Sequence, residues 1–159
     1  MSLIIRDVLA SDATQISVLL NDIIATKQFT ILESLISPAE QLEFIESFPS
    51  EGVFLVAEAH GQILGLQDVS PTSISGVGDI STFIALSAQG CGVGKALARV
   101  TFAAARAKGF RKLMAMIRAD NPRAIRFYGS LGFRVVGKLE RHVLAHGVLH
   151  DEILAEKLL

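Results

Sequence analysis

The feature that most restricts the fold is a glycine-rich segment in the middle of the chain. It comprises Gln89, Gly90, Cys91, Gly92, Val93, Gly94 and Lys95, and we call it the glycine turn. An apolar run over residues 80–86 precedes it, and a helical pattern over residues 96–108 follows it. The first N–H groups of a helix that begins in this way are unpaired, and the glycines let the backbone approach a ligand closely. The pattern predicts a strand, a turn and a helix whose N-terminus binds phosphate.

Two nucleotide-binding motifs are similar to this segment but require residues that it lacks. A Walker A loop requires Ser or Thr after Gly-Lys, whereas Ala96 follows Lys95. A dinucleotide-binding fingerprint requires a third glycine at position 95 or 97, and these positions hold Lys95 and Leu97. The sequence therefore excludes both motifs at this turn.

The motif that the segment does satisfy is Gln-x-x-Gly-x-Gly, starting at Gln89. A second motif, Asn-x-x-Ala-x-x-x-Tyr-x-x-x-Gly-Phe, starts at Asn121, includes Tyr128 and ends at Phe133. In their order and spacing, the two motifs resemble those of the GNAT superfamily of N-acetyltransferases. Three further stretches are similar to the phosphinothricin and methionine sulfone acetyltransferase branch of that family: residues 20–24, 54–58 and 146–151.

The chain departs from that branch between the predicted third and fourth strands. The branch places aromatic and basic residues there, and these hold its amino-acid substrate. Residues 68–78 of this chain contain neither kind. The resemblance therefore does not identify the acceptor.

Length and composition predict one domain over residues 1–159 and argue against several kinds of partner. Half of the 159 residues are hydrophobic, which suits a substantial core without disulfides or metal. The net charge of −1 favours neither nucleic acid nor an anionic membrane surface. The single cysteine excludes an internal disulfide, no apolar run reaches the length of a membrane span, and the N-terminus does not resemble a secretory signal. We expect a cytoplasmic protein without a metal site.

The order of local patterns predicts an α/β fold of the mixed α+β kind. Strands are predicted over residues 3–6, 53–59, 62–69, 80–86, 113–117, 133–144 and 148–157. Helices are predicted to begin after Ser11-Asp12, at the capping box Ser37-Pro38-Ala39-Glu40, after the glycine turn and at Asn121-Pro122. Residues 70–78 are predicted to be a flexible loop. About seven strands and about four helices follow, with parallel strands at the centre of the sheet.

The resemblance to the GNAT family implies roles for individual residues. The family opens a splay between its fourth and fifth strands, where the pantetheine arm of acetyl-CoA lies against strand backbone. The residues implied to line that arm are Phe83, Ile84, Ala85 and Leu86. The glycine turn would bind the pyrophosphate, Asn121 would meet the cofactor near the splay, and Tyr128 would lie close to the thioester sulfur. Homodimers are common in the branch that the chain resembles, so a homodimer is expected.

Acetyl transfer to an amine needs a neutral amine, a polarised carbonyl group and a proton for the departing thiolate. Tyr128 can supply the proton from a fixed position on a helix, and a strand N–H near residues 84–86 can polarise the carbonyl group. The candidates for the base are Asp79, at the start of the predicted fourth strand, Glu33, His142, His146 and His150. No candidate stands out from its surroundings in the sequence, and ordered water often replaces the base in the family. We assign Asp79 with Tyr128 as catalytic residues.

Several of these residues also have an ordinary structural explanation. Tyr128 can be an aromatic residue that packs under Phe133, and His146 before a glycine is typical of a turn. Cys91 has no neighbouring histidine in the sequence and is not predicted to be a nucleophile. Three arginines form either a basic patch near the CoA phosphates or a solvated face: Arg118, Arg123 and Arg126.

The sequence leads to three hypotheses about function. The first is an acetyl-CoA-dependent N-acetyltransferase that modifies a primary amine of a small molecule, an amino acid or an analogue. The second is the same chemistry on a protein N-terminus or a lysine side chain. The third is a non-catalytic acyl-CoA-binding module, which would be expected to lose Tyr128 or the glycine turn, and the chain keeps both.

Overall fold

The computed structural model describes residues 2–159, and its centre is a seven-stranded sheet. The strands are β1 (Ile4–Asp7), β2 (Val53–Ala59), β3 (Gln62–Pro71), β4 (Val77–Ile84), β5 (Lys112–Arg118), β6 (Arg134–Ala145) and β7 (Val148–Leu158). They are arranged in the order β1-β2-β3-β4-β5-β7-β6. Only β4 and β5 run parallel, and every other neighbouring pair is antiparallel. The predicted mixed sheet with parallel strands at its centre is confirmed.

A splay opens between β4 and β5. The two strands pair only at their beginnings, where Val77, Gly78 and Asp79 face residues 112–114. β4 then continues to Ile84 and β5 continues to Arg118 without pairing with each other. The gap between the strands leaves their ends accessible to a ligand, and the predicted splay is confirmed.

Four helices flank the sheet, as the sequence predicted. They are α1 (Ala13–Ala25), α2 (Pro38–Ser47), α3 (Val93–Ala107) and α4 (Pro122–Ser130). The capping box at α2 forms as predicted, because Ser37 accepts from the Glu40 N–H and the Glu40 carboxylate accepts from the Ser37 N–H. Asn121 caps α4 through its side-chain oxygen.

The helices cover the two faces of the sheet differently. On the face we call the α1 face, the apolar side of α1 packs on β2 and β3: Ile16, Leu19, Leu20 and Ile23 contact Phe54, Val56, Ile63 and Leu66. On the opposite face, the α3 face, buried residues of α3 and α4 pack on the middle of the sheet: Val93, Leu97, Ala98, Phe102, Ala105 and Tyr128. Side chains alternate between the faces along each strand, so strand position decides which face a residue reaches.

The prediction of a flexible loop over residues 70–78 is wrong at both ends. Ser70 and Pro71 belong to β3 and pair with Asp79 and Gly78 of β4. The turn between the strands is held by Thr72, whose hydroxyl donates to the Val77 carbonyl at 2.9 Å. Thr72 is a small hydroxyl residue of the kind that favours loops, and here it closes a hairpin.

The predicted boundaries around the glycine turn also shift. β4 begins at Val77 and ends at Ile84, so Ala85 and Leu86 lie beyond the strand, and a short 3₁₀ turn covers Leu86–Ala88. Helix α3 begins at Val93, three residues earlier than the apolar pattern indicated. Among the residues that the structure describes, no helix is both long and apolar enough to cross a membrane.

Candidate active site

A cavity of about 350 Å³ lies at the splay between β4 and β5. It extends from Ile23 and Phe29, at and beyond the end of α1, past Phe83 to the glycine turn and the start of α4. The structure brings most of the predicted cofactor-binding residues to this cavity: Phe83, Ile84, Gln89, Gly90, Gly92, Val93, Gly94, Lys95, Asn121 and Tyr128. The cavity therefore joins the α1 face of the sheet to the N-terminus of α3.

The glycine turn has the backbone conformation that its sequence predicts. Gly90 and Gly92 have φ angles of 77° and 84°, in the left-handed region that favours glycine. A Cβ at either position would meet no protein atom within 4 Å, so the space beside the turn is open. The first backward bond of α3 runs from the Ala96 N–H to the Gly92 carbonyl, which leaves the amides of residues 93–95 without an intrahelical acceptor. These amides and the helix dipole form a site suited to an anion.

Gly94 serves a different purpose from the other two glycines. A Cβ at this position would lie 2.7 Å from the ring of Phe127 on α4. The absence of a side chain thus lets α4 approach α3 closely. Close packing of the two helices narrows one side of the cavity.

Gln89 and Arg123 connect the glycine turn to α4. The Gln89 amide donates to the Ile84 carbonyl at 3.4 Å, and its side-chain oxygen accepts from the Arg123 guanidinium. Arg123 lines the cavity beside exposed Lys95, so two cationic groups lie near the free amides. Both add positive charge where an anionic ligand would bind.

The other two arginines of the predicted basic patch lie elsewhere. Arg118 is buried and donates to both carboxylate oxygens of Asp120 and to the Thr30 carbonyl. Arg126 is exposed on α4 and does not line the cavity. Arg118 therefore holds the segment after α1 against the end of β5 rather than facing phosphate.

Tyr128 packs its ring in the core and places its hydroxyl at the splay. Its ring packs edge-on against Phe127 and Phe133, with ring centroids 5.1 Å apart in each case. Its hydroxyl reaches the splay and lies 2.9 Å from the hydroxyl oxygen of Thr82 on β4. Burial raises the pKa of the phenol to about 12, so the group is protonated at neutral pH.

Thr82 is in turn held by Gln67 of β3. The Gln67 amide donates to the Thr82 hydroxyl oxygen at 2.9 Å, and the two residues face each other across the β3–β4 pair. Gln67 is completely buried, and its side-chain oxygen has no partner among the described residues. A chain of three polar side chains therefore leads from the interior of the sheet to the cavity.

Three predicted cofactor-binding residues do not line the cavity. Ala85 lies after the end of β4, and its N–H donates to the Leu64 carbonyl. Leu86 is exposed in the 3₁₀ turn, and Cys91 is a free, exposed cysteine. For Ala85 and Leu86, the cause is that the strand ends two residues earlier than the apolar run, whereas Cys91 lies in the glycine turn with its side chain exposed.

The predicted base candidates also lie outside the cavity lining. Asp79 is the third residue of β4 rather than its first, is exposed, and has a pKa raised by partial burial. Glu33 accepts from the His146 N–H, which ties the segment after α1 to the turn between β6 and β7. His142 lies 3.9 Å from Glu152, and His150 lies 3.5 Å from Asp120.

Other residues of the cavity were missed from the sequence: Ile23, Phe29, Thr82, Ala88, Ala124 and Phe127. Thr82 could have been found, since it is a hydroxyl residue within the predicted fourth strand, on the opposite face from Phe83. Phe29 could not, because it follows α1 and reaches the splay only through the tertiary fold.

Comparison with known proteins decides the family. A model of the acetyltransferase (GNAT) domain matches residues 5–154. The chain belongs to the GNAT acetyltransferase family. It is, by that membership, an acetyltransferase enzyme, and the resemblance drawn from the two sequence motifs is confirmed.

Individual GNAT relatives match most of the chain. Phosphinothricin N-acetyltransferase of Streptomyces viridochromogenes is 24% identical over 151 residues, covering 92% of this chain and 82% of the relative. The ribosomal-protein-alanine N-acetyltransferase structure from Brucella melitensis superposes with a TM-score of 0.92 at 25% identity, covering 98% of this chain and 99% of that one. A phosphinothricin acetyltransferase from Sinorhizobium meliloti, solved with AcCoA, gives 0.90 at 24% identity, covering 100% and 89%.

Proposed function

We propose that this GNAT enzyme binds acetyl-CoA at the splay and transfers the acetyl group to a primary amine of a small molecule, an amino acid or an analogue. The observation that carries the proposal is the meeting of two features in one cavity. The free amides at the start of α3 lie at one end, and the Tyr128 hydroxyl lies beside the gap between the strands. The first suits a pyrophosphate, and the second suits a leaving sulfur.

Each group of the cavity has a task in this proposal. The amides of residues 93–95 bind the pyrophosphate, with Lys95 and Arg123 adding charge. Bound acetyl-CoA supplies a thioester, whose carbonyl carbon an amine can attack. Apolar residues such as Phe83 and Ile84 exclude water around the arm, which favours transfer to the amine over hydrolysis. Tyr128 holds a proton for the departing thiolate.

The relatives support this ligand and this chemistry. The Sinorhizobium meliloti protein was solved with AcCoA, and its chain has the same fold. The relative from Streptomyces viridochromogenes is a phosphinothricin N-acetyltransferase. An acceptor of the amino-acid class is consistent with that relative.

A peptide N-terminus is the second candidate acceptor. The likeness to the ribosomal-protein-alanine N-acetyltransferase structure favours it. We also propose that the chain forms a single domain and is located in the cytoplasm. We further propose a homodimer, as expected from the branch that the chain resembles, and sedimentation measures this.

Two measurements test the proposed function. In thermal unfolding with acetyl-CoA, NAD or ATP, only acetyl-CoA should raise the melting temperature, and occupancy at a hundredfold excess over Kd stabilises a protein by about 2.7 kcal/mol. Thiol release is then followed with phosphinothricin, methionine sulfone and a peptide that begins with alanine. Amine-dependent release is expected with one of the first two.

The outcomes separate the hypotheses. Release with the peptide alone would move the acceptor class to protein N-termini. Stabilisation by acetyl-CoA without release by any amine would leave a non-catalytic binding module. No stabilisation by acetyl-CoA would overturn the proposal.

A further inference from the structure

Asp68 is a buried acidic side chain in the middle of the sheet. It lies in β3 on the α1 face, directly across from Phe54 of β2 and Ser81 of β4. Only 6% of the residue is exposed. Within residues 2–159, its carboxyl group has no hydrogen bond and no ion pair, whereas buried Asp12 pairs with Arg6. A carboxyl group in this situation is costly to ionise, because none of the described residues offsets the loss of water.

The environment of Asp68 suits a group that exchanges protons near neutral pH. Burial raises its pKa from 3.8 to about 7. The fully enclosed polar side-chain atoms that lack a partner in the described chain belong to Gln67 and Thr101. The Asp68 oxygens are not among them, so they keep some contact with solvent.

Asp68 is not a lining residue of the cavity, but it neighbours one that is. Leu66 and Phe83 pair across β3 and β4, which makes Phe83 a diagonal neighbour of Asp68 on the α1 face. Phe83 lines the cavity, and the charge of Asp68 is close enough to Tyr128 to raise the pKa of the phenol further. Tyr128 reaches β4 from the α3 face through Thr82. The Tyr128 hydroxyl therefore reaches β4 from one face of the sheet, and Asp68 lies on the other face, on the strand next to β4 and away from β5.

We propose that Asp68 is the base that accepts the proton of the acceptor amine, an assignment that rests on the proposed acetyl transfer. The amine nitrogen bonds to the acetyl carbonyl carbon, and the carbon–sulfur bond breaks. The proton lost by the nitrogen passes to an Asp68 carboxylate oxygen, and the thiolate takes the proton of Tyr128. Solvent then removes the proton from Asp68 and returns one to Tyr128, so each turnover restores both groups.

The elements around Asp68 place few titratable groups near its carboxyl group. The nearest titratable residue on this face of β4 is Asp79. It lies two residues before Ser81, the pairing partner of Asp68, and it is exposed. β2 presents Phe54, and α1 presents apolar side chains such as Leu20. On β5, Arg118 is held by Asp120. Asp68 is therefore preferred over Asp79, because it is more deeply buried than Asp79 and its charge acts on Tyr128.

The test compares Asp68→Asn with the unchanged enzyme, using the acceptor from the panel that gives the fastest thiol release. The variant should lose about 10²–10⁴-fold in turnover while still being stabilised by acetyl-CoA. The rise in kcat/KM near pH 7 should disappear. With an analogue of the same amine made less basic by a neighbouring fluorine, the loss should be smaller, since that nitrogen gives up its proton more easily.

Two further variants make the outcome decisive. Glu43→Gln removes an exposed carboxylate of α2 outside the cavity and should leave turnover unchanged. Normal turnover and a normal pH profile in Asp68→Asn would overturn the assignment, and the full loss in Asp79→Asn instead would transfer the role to Asp79. Failure of the proposed function looks different, because the unchanged enzyme would then release no thiol with any amine.

Discussion

At the scale of single residues, the orientation of one proton decides what Tyr128 can do. The Thr82 oxygen accepts from the Gln67 amide, and Tyr128 is its other hydrogen-bond partner among the described residues. A hydroxyl that accepts from an amide can still donate its own proton, and the 2.9 Å contact allows the Thr82 hydroxyl to donate to the phenol oxygen. The phenol proton is then free to point into the cavity. We therefore predict that Gln67 and Thr82 act as positioning residues for Tyr128.

We predict that Tyr128→Phe lowers turnover by about 10²–10⁴-fold across all acceptors, since the leaving thiolate is common to them. Both aromatic contacts remain in this variant, so stability and acetyl-CoA affinity should change little. Thr82→Val should lower turnover by a smaller factor, and Thr82→Ser should retain it because the hydroxyl is kept. Steady-state kinetics with two acceptors measure these effects. A loss in Tyr128→Phe confined to one acceptor would place the hydroxyl in acceptor binding instead.

At the scale of secondary-structure elements, the sequence was informative where local chemistry decides the outcome. The capping box at Ser37, the cap at Asn121 and the turn at His146 are local patterns, and each forms as predicted. The predicted loop over residues 70–78 failed because strand pairing across β3 and β4 outweighs the preference of small polar residues for loops.

The candidate site was predictable to a similar extent. The glycine turn and Tyr128 belong to contiguous motifs and reach one cavity. Asp68 could not be singled out, because an isolated acidic residue next to Gln67 gives no sign of its burial. Its position follows from the register of β3 with both neighbouring strands and from the coverage of that face by α1.

The glycine turn gives the prediction that belongs to this scale. Gly92→Val should weaken CoA binding by about tenfold or more, because its side chain would fill the open space beside the α3 amides. The left-handed backbone at Gly92 adds a cost to folding of about 1–2 kcal/mol. Isothermal titration with CoA and thermal unfolding separate the two effects.

Gly94→Ala is the matched control for that experiment. Its Cβ would press on the Phe127 ring, so this variant should lose stability by more than it loses CoA affinity. If Gly92→Val melts early and yet binds CoA normally, the glycine at this position serves the fold alone.

At the scale of the whole molecule, the stability of the fold depends on pH in two opposite ways. The ion pair with Arg6 lowers the pKa of Asp12, so its contribution is present above the unfolded pKa and is lost as the pH falls through the folded value. Burial raises the pKa of Asp68, so the fold is favoured while Asp68 is protonated. That contribution is complete below the unfolded pKa of 3.8 and is lost as the pH rises to about 7.

The last prediction follows from this second dependence. Each pKa unit corresponds to about 1.4 kcal/mol, so ionised Asp68 lowers the free energy of unfolding by about 4 kcal/mol above pH 7. Asp68→Asn keeps the shape of the side chain and removes the charge, so its stability should match that of the unchanged protein near pH 4 and exceed it near pH 8. Urea unfolding at both values measures the difference. An Asp68→Asn variant that is less stable at pH 8 would mean that the carboxylate supports the fold, whereas a variant that is more stable and inactive means that the protein keeps a destabilising group for its chemistry.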